Sequence, residues 1–391
     1  MYSCRKCGDL LEIAYDYEQI ASVLNPKAWL RRPFGVWRYW ELLPIDAEKA
    51  VSLQEGGTGL VECRRLAKTI GLSNVHVKNE GQNPTGSFKD RGMTVGMSKA
   101  LDLGVKFVAC ASTGNTSASL AAYASRSGMK AVVFIPSGKI ALGKLTQAII
   151  HGAKIIRLKG NFDDSLEVAM DFTASHRSVY LLNSVNPYRI EGQKTLAYEV
   201  YHQLGNRAPD NVILPVGNAG NISAIWKGFV ELKILGLIDS LPRMMGIQAK
   251  GASPIVEAYR KHQTRIFEFE HPETVASAIR IGAPVSWKKA LKAIHDSKGL
   301  ADIVSDKEIL DAQKKLASLE GLFVEPASAS SIAALKKLAE QGEVKRNDTT
   351  VCVATGHGLK DPDIIISNYK LPPEVELGQD GLERILKIST G

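Results

Sequence analysis

A single rhythm constrains the fold of this chain more than any other feature. From Val75 onward, short apolar runs alternate with helical stretches: VHVK (75–78), helix Phe88 to Leu103, KFVACA (106–111), helix Thr116 to Arg126, AVVFIP (131–136), helix Lys139 to His151, AKIIRL (153–158), helix Asp163 to Ser175 and SVYLLN (178–183). Such alternation builds parallel βαβ units. Strands that are apolar at nearly every position are covered on both faces of their sheet. The pattern resumes with helix 191–204, NVILPV (211–216), helix 221–234, MMGIQA (244–249), helix 306–319, GLFVE (321–325), helix 328–340 and TTVCVAT (349–355). The expectation is an α/β protein. At 391 residues it exceeds what one hydrophobic core usually holds, so two lobes are expected. Residues 1–55 read as irregular and aromatic-rich, and the closing LPPEVELGQDGLERILKISTG is compatible with a helix.

Bulk properties narrow the function classes. Apolar residues make up 45% and charged residues 23%, a globular mix, and no run approaches a membrane span. The N-terminus lacks the apolar core of a secretory signal, so a cytoplasmic protein is expected. Five cysteines, Cys4, Cys7, Cys63, Cys110 and Cys352, are too few and too odd for a disulfide framework. Cys4-x-x-Cys7 is half of a zinc ribbon, but a closed site needs four ligands and no second pair follows, so no metal is expected. The net charge of +8 is spread along the chain without the clustering of a nucleic-acid face.

In open α/β sheets, ligands bind beyond the carboxyl ends of the strands. Five polar, Gly-rich loops stand there: Asn79–Gly92, Ser112–Ser119, Ser184–Arg189, Gly217–Asn221 and Gly356–Pro362. Lys89 falls in the first turn of a helix, where positive potential depresses an amine pKa and frees it to attack an aldehyde. The competing reading pairs it with Asp90 or Glu80. Gly217-Asn-Ala-Gly-Asn221 can curl its N–H groups into an anion nest at a helix start; it is neither a Walker loop nor a dinucleotide fingerprint. Ser112-Thr-Gly-Asn-Thr116 can hold a carboxylate, or simply cap its helix. Asn183, Ser184 and Arg189 form a phosphate-binding set unless Arg189 pairs with Glu191.

NPTGSFKDRG (83–92), STGNTSAS (112–119), NSVNPYRIEGQKTLAYE (183–199), PVGNAGN (215–221) and ATGHGLKDP (354–362), with RYWELLPI (38–45) and EPASA (325–329), resemble the fold-type-II pyridoxal 5'-phosphate (PLP) enzymes. Within that group they are most similar to the threonine synthase family. The resemblance runs in collinear order from about Arg38 to about Pro362. It implies two open, mostly parallel twisted sheets with helices on both faces and an active site between two lobes. It implies a large domain from 38–94 and 186–391, a small mobile domain from 95–185, and an N-terminal segment 1–37 with a remnant CxxC.

Roles follow by resemblance. Lys89 would carry PLP and act as the catalytic base. Asn115 would bond its 3′-oxygen, and Gly217, Asn218, Ala219, Gly220 and Asn221 would cradle its phosphate. Thr355 would face the pyridine nitrogen; a neutral hydroxyl there would not hold that nitrogen protonated as a carboxylate does. Ser112, Thr113 and Thr116 would receive the substrate carboxylate and nearby groups. Asn183, Ser184 and Arg189 would bind the substrate phosphate. The implied reaction converts O-phospho-L-homoserine and water to L-threonine and phosphate in a homodimer. The alternative is a serine or threonine dehydratase, or another β-elimination or replacement enzyme of the same fold.

Overall fold

The computed structural model describes residues 2–137, 142–160, 162–368 and 374. Among them, ten strands form two sheets: β1 (Leu60–Glu62), β2 (Asn74–Asn79), β3 (Phe107–Ala111), β4 (Lys130–Pro136), β5 (Lys154–Leu158), β6 (Val179–Leu181), β7 (Asn211–Pro215), β8 (Arg243–Ala249), β9 (Leu300–Val304) and β10 (Thr349–Ala354). The larger sheet has the order β1-β2-β10-β7-β8-β9 and the smaller β5-β4-β3-β6. Every pairing is parallel except that of short β1 against β2. The chain divides into two units, Met1–Lys360 and Asp361–Gly391. Both sheets lie in the first. The second holds, among its described residues, the helix Asp363–Asn368.

The apolar strands are covered on both sides, as their composition requires. In the larger sheet, Val212, Leu214, Met244, Val351 and Val353 point into one core. Their chain neighbours Ile213, Met245, Cys352 and Ala354 point into another. The smaller sheet repeats this: Val108, Cys110, Val133 and Ile135 belong to one cluster, Ala109, Ala111 and Phe134 to a second.

Several expectations are corrected. Residues 321–325 form no sheet strand; only an isolated bridge joins Val324 to His357, and Leu300–Val304 takes the sheet edge instead. The edge strand went unread because Asp302 interrupts its apolar run; Arg260 and Lys337 pair with that carboxylate. The helix read as 191–204 is two, Pro187–Gln193 and Thr195–Gln203, meeting at Lys194. The N-terminal stretch contains helices Tyr17–Val23 and Pro26–Trp29 and sends Trp29, Tyr39 and Leu42 into the core. Lys139–Ala141 of the expected helix, and the C-terminal stretch from Leu371 apart from Glu374, lie outside the described residues.

One helix crossing positions the chemistry. Helix Lys89–Asp102 lies against helix Pro187–Gln193, and a Cβ on Gly192 would come within 1.8 Å of the Arg91 carbonyl oxygen. On the facing helix, a Cβ at Gly92 would sit 2.7 Å from the Arg189 carbonyl oxygen. Only glycine permits so close an approach.

Candidate active site

The loops beyond β3, β6, β7 and β10, with the start of helix Lys89–Asp102, enclose a cavity of about 460 Å³. Lys89, Ser112, Thr113, Asn115, Thr116, Asn183, Ser184, Arg189, Gly217, Asn218, Ala219, Gly220, Asn221 and Thr355 all line it. The topology explains the convergence. β10 is inserted between β2 and β7, and β3 lies between β4 and β6, so loops distant in sequence leave neighbouring strands.

Neither suggested partner holds Lys89. Asp90 accepts hydrogen bonds from the Thr85 amide (2.7 Å), the Thr85 hydroxyl (2.6 Å) and Ser119 Oγ (2.5 Å). Glu80 is occupied by Arg91, Thr58 and Asn83. The Lys89 Nζ lies 4.2 Å from the Phe88 ring centroid, and no described residue hydrogen-bonds it or pairs with it. Burial, helped by the charge of Arg189 and opposed by Glu325, lowers its pKa to about 7. The depression expected from the helix terminus is thus caused chiefly by desolvation.

The Gly217–Asn221 loop has the form of an anion nest. Ala219 adopts a left-handed conformation (φ 67°) immediately before helix Gly220–Ile234. A non-glycine residue in this region is strained, and such strain gathers at ligand-binding loops. A left-handed residue at a helix start turns successive N–H groups to one side. Asn221 is buried with both side-chain polar atoms unpartnered. Residues 277–281, which the sequence reading left unassigned, close over the loop: a Cβ on Gly217 would lie 3.2 Å from the Ala278 carbonyl oxygen.

Arg189 does not pair with Glu191, which binds Lys194 and Lys227 instead. The Arg189 side chain is buried, and only Nη1 has a partner, donating to the Leu182 carbonyl at 3.1 Å. Its Nε and Nη2 are unpartnered. Burial lowers its pKa to about 10, so it stays charged at neutral pH.

Asn183 differs from its expected partners: its amide oxygen accepts from the Ala111 amide and its nitrogen donates to the Ala111 carbonyl, each at 2.9 Å. That double bond to β3 holds the loop beyond β6 beside the loop beyond β3. Helix Asn115–Ser127 begins after Gly114, which has no side chain to cap it, and Ser112 Oγ accepts from the Gly114 amide at 3.2 Å.

Glu325 is the group the sequence reading missed. Among the described residues it is the single acid lining the cavity, and it is only 4% exposed. Asn115 Nδ2 donates to its two oxygens at 2.9 and 3.2 Å, and the Thr355 hydroxyl donates at 3.3 Å. Burial raises its pKa, with Asn115, Lys360, Lys89 and Thr355 opposing. Reading 321–325 as a sheet strand hid it: the segment instead runs beside Gly356–Gly358 and delivers Glu325 into the cavity.

A low-pKa amine, a strained N–H nest and a half-paired buried arginine fit an aldehyde-bearing phosphate cofactor and a second anionic group. Comparison with known proteins agrees. Residues 51–356 match the family described as pyridoxal-phosphate dependent enzyme. The chain is 58% identical to threonine synthase of Methanocaldococcus jannaschii, over 99% of this chain and 95% of that one. It is 54% identical to threonine synthase of Mycobacterium tuberculosis over 86% and 91% of the two chains. Among solved structures, it resembles processed threonine deaminase isoform 2 of Solanum lycopersicum with a TM-score of 0.69, at 20% identity over 92% of this chain and 95% of that one. Diaminopropionate ammonia lyase of Escherichia coli gives 0.67, at 17% identity over 79% and 86%. At such identities the two structures establish a shared fold only, the type II fold of PLP enzymes. The chain belongs to the pyridoxal-phosphate dependent enzymes and, within them, to the threonine synthases.

Proposed function

We propose that this PLP-dependent lyase converts O-phospho-L-homoserine and water into L-threonine and phosphate, with Lys89 as the residue that carries the cofactor. The observation that supports this most directly is the unpartnered Lys89 amine, with a pKa of about 7, in one cavity with the Gly217–Asn221 nest. When bound, PLP supplies an electron sink for negative charge at the substrate carbons. Lys89 would move protons at Cα and Cβ, for which a pKa near the working pH is best suited. The backbone of Gly217, Asn218, Ala219, Gly220 and Asn221 anchors the cofactor phosphate. Asn115 and Thr355 hold the two polar ends of its ring. Ser112, Thr113 and Thr116 take the substrate carboxylate.

Arg189 and Ser184 bind the substrate phosphate and stabilise its charge as it leaves Cγ. Asn183 contributes by fixing that loop. Closure of the small domain, residues 95–185, over the cavity excludes bulk water until addition at Cβ. A cytoplasmic setting and a homodimeric assembly complete the reading. Five unpaired cysteines fit the first, and sedimentation equilibrium tests the second.

The decisive assay compares phosphate release from O-phosphohomoserine with ammonia release from threonine. The first should dominate, and Lys89→Ala should abolish it. Borohydride should fix the cofactor onto Lys89. Faster ammonia release, or turnover without Lys89, would overturn the assignment.

A further inference from the structure

The five cysteines fall into two groups. Cys63, Cys110 and Cys352 are buried in the apolar cores, and burial pushes the thiols of Cys63 and Cys110 up to about 12 and that of Cys352 up as well. Buried thiols of this kind are inert. Cys7 is exposed and Cys4 half-buried, three positions apart, and neither has a place in the reaction above.

A folded turn presents this pair. Ser3 bridges Leu10 in antiparallel fashion, the Cys4 amide donates to the Asp9 carbonyl at 2.8 Å, and the Gly8 amide donates to the Cys4 carbonyl at 2.9 Å. Gly8 takes the left-handed φ of 75° that closes the turn. Both flanks are tied down. The Tyr2 hydroxyl donates to the Leu181 carbonyl and accepts from the Leu181 amide, each at 3.1 Å, at the end of β6. Lys288 pairs with Asp9, and Lys289 pairs with Glu12 at 2.9 Å. The two sulfurs are therefore held close, as they would not be on a loose segment.

Their environments differ. The Lys6 amide donates to Cys4 Sγ at 3.4 Å, the Cys7 amide is aimed at the same sulfur, and the Cys7 thiol lies within hydrogen-bonding reach of it. These donors, the Cys7 amide foremost, hold the Cys4 thiol below its ordinary pKa. A thiolate is the form that attacks a disulfide. A closed zinc site needs four ligands, and among the described residues no three His, Cys, Asp or Glu side chains are grouped to hold a metal ion, so a reaction of two thiols suits the pair better.

We propose that Cys4 and Cys7 form a redox-active dithiol that closes to a disulfide by exchange with a low-molecular-weight disulfide, with Cys4 as the attacking sulfur. The Cys4 thiolate attacks one sulfur of that disulfide; its S–S bond breaks and the first small thiol leaves, taking up a proton from solvent. Cys7 gives its proton to solvent and attacks Cys4 Sγ of the mixed disulfide, releasing the second small thiol. Two protein thiols are oxidised and one small disulfide is reduced. A dithiol reductant reverses both steps.

The test uses the reduced holoenzyme, incubated in graded ratios of oxidised to reduced glutathione, quenched with acid, alkylated and mapped by peptide mass spectrometry. The expected product is a Cys4–Cys7 disulfide that retains no glutathione, with Cys63, Cys110 and Cys352 still free thiols; dithiothreitol should reopen it. Cys7→Ser should instead stop at a glutathione adduct on Cys4, formed roughly threefold or more faster than Cys4→Ser forms one on Cys7. Both variants should keep wild-type turnover and circular dichroism, which verifies folding and separates this test from that of the function proposed above. A pair that stays reduced at every ratio, or a wild type that keeps glutathione on Cys4 without closing, overturns the proposal. Equal adduct rates in the two variants overturn Cys4 as the attacking sulfur.

Discussion

Arg91 and Arg189 sit on the two helices that cross at Gly92 and Gly192, and both are buried to within 1% of full coverage. Their surroundings differ completely. Arg91 donates through Nε to Glu80, through Nη1 to Glu199 and Thr195, and through Nη2 to Glu80, Glu199 and Thr58, at 2.5 to 3.2 Å. Burial pulls its pKa down, but Glu199 and Glu80 outweigh that and hold it well above the ordinary arginine value. Arg189 keeps one hydrogen bond and no carboxylate. A buried charge without a partner is costly, so it persists where something else satisfies it. The first arginine is framework; the second is the one proposed to meet an anion.

That contrast can be broken by experiment. The largest effect should come from Arg91→Ala, which strands Glu80 and Glu199: about 3–5 kcal/mol of stability lost, read by denaturant unfolding. A loss below about 1 kcal/mol would mean the network is not structural. Arg189→Ala should weaken binding of the phosphorylated substrate by about 1.5–3 kcal/mol, read as a rise in Kd, while folding stability holds or improves. Comparable destabilisation in both variants would erase the distinction. A smaller effect is expected from inorganic phosphate. At tenfold its Kd it should stabilise the folded wild type by about 1.4 kcal/mol, and Arg189→Ala should respond less. The smallest effect concerns pH. Because the Lys89 pKa is lowered to about 7, cofactor capture by the apoprotein should quicken as pH rises through about 7 and then level off. A rise that continues toward the ordinary lysine pKa would contradict the burial of this amine.

The two arginines also mark what could be read from sequence. Arg189 was legible because a fork-shaped cation stood in a polar loop at a strand end. Its freedom was not, since Glu191 two residues on was an equally good partner until the fold gave that carboxylate to Lys194 and Lys227. The framework network of Arg91, Glu80, Lys78 and Glu199 joins residues up to 121 positions apart and leaves no local pattern. The parallel strands were visible because burial on both faces makes them continuously apolar. Leu60–Glu62 and Leu300–Val304 were not, the first for its three-residue length and the second for its central Asp302. The nest was carried by its glycines. Loop 277–281 and Glu325 were missed because neither has periodicity or a glycine signature, and because 321–325 reads as a strand on composition alone.

The glycine-to-backbone contact between the two crossing helices has a consequence for selectivity. Lys89 opens one helix and Arg189 lies on the other, so their spacing is set by rigid main chain. If Lys89 and Arg189 take the roles proposed for them, the crossing would also bear on substrate length, and phosphoserine, one methylene shorter than phosphohomoserine, is expected to turn over more slowly.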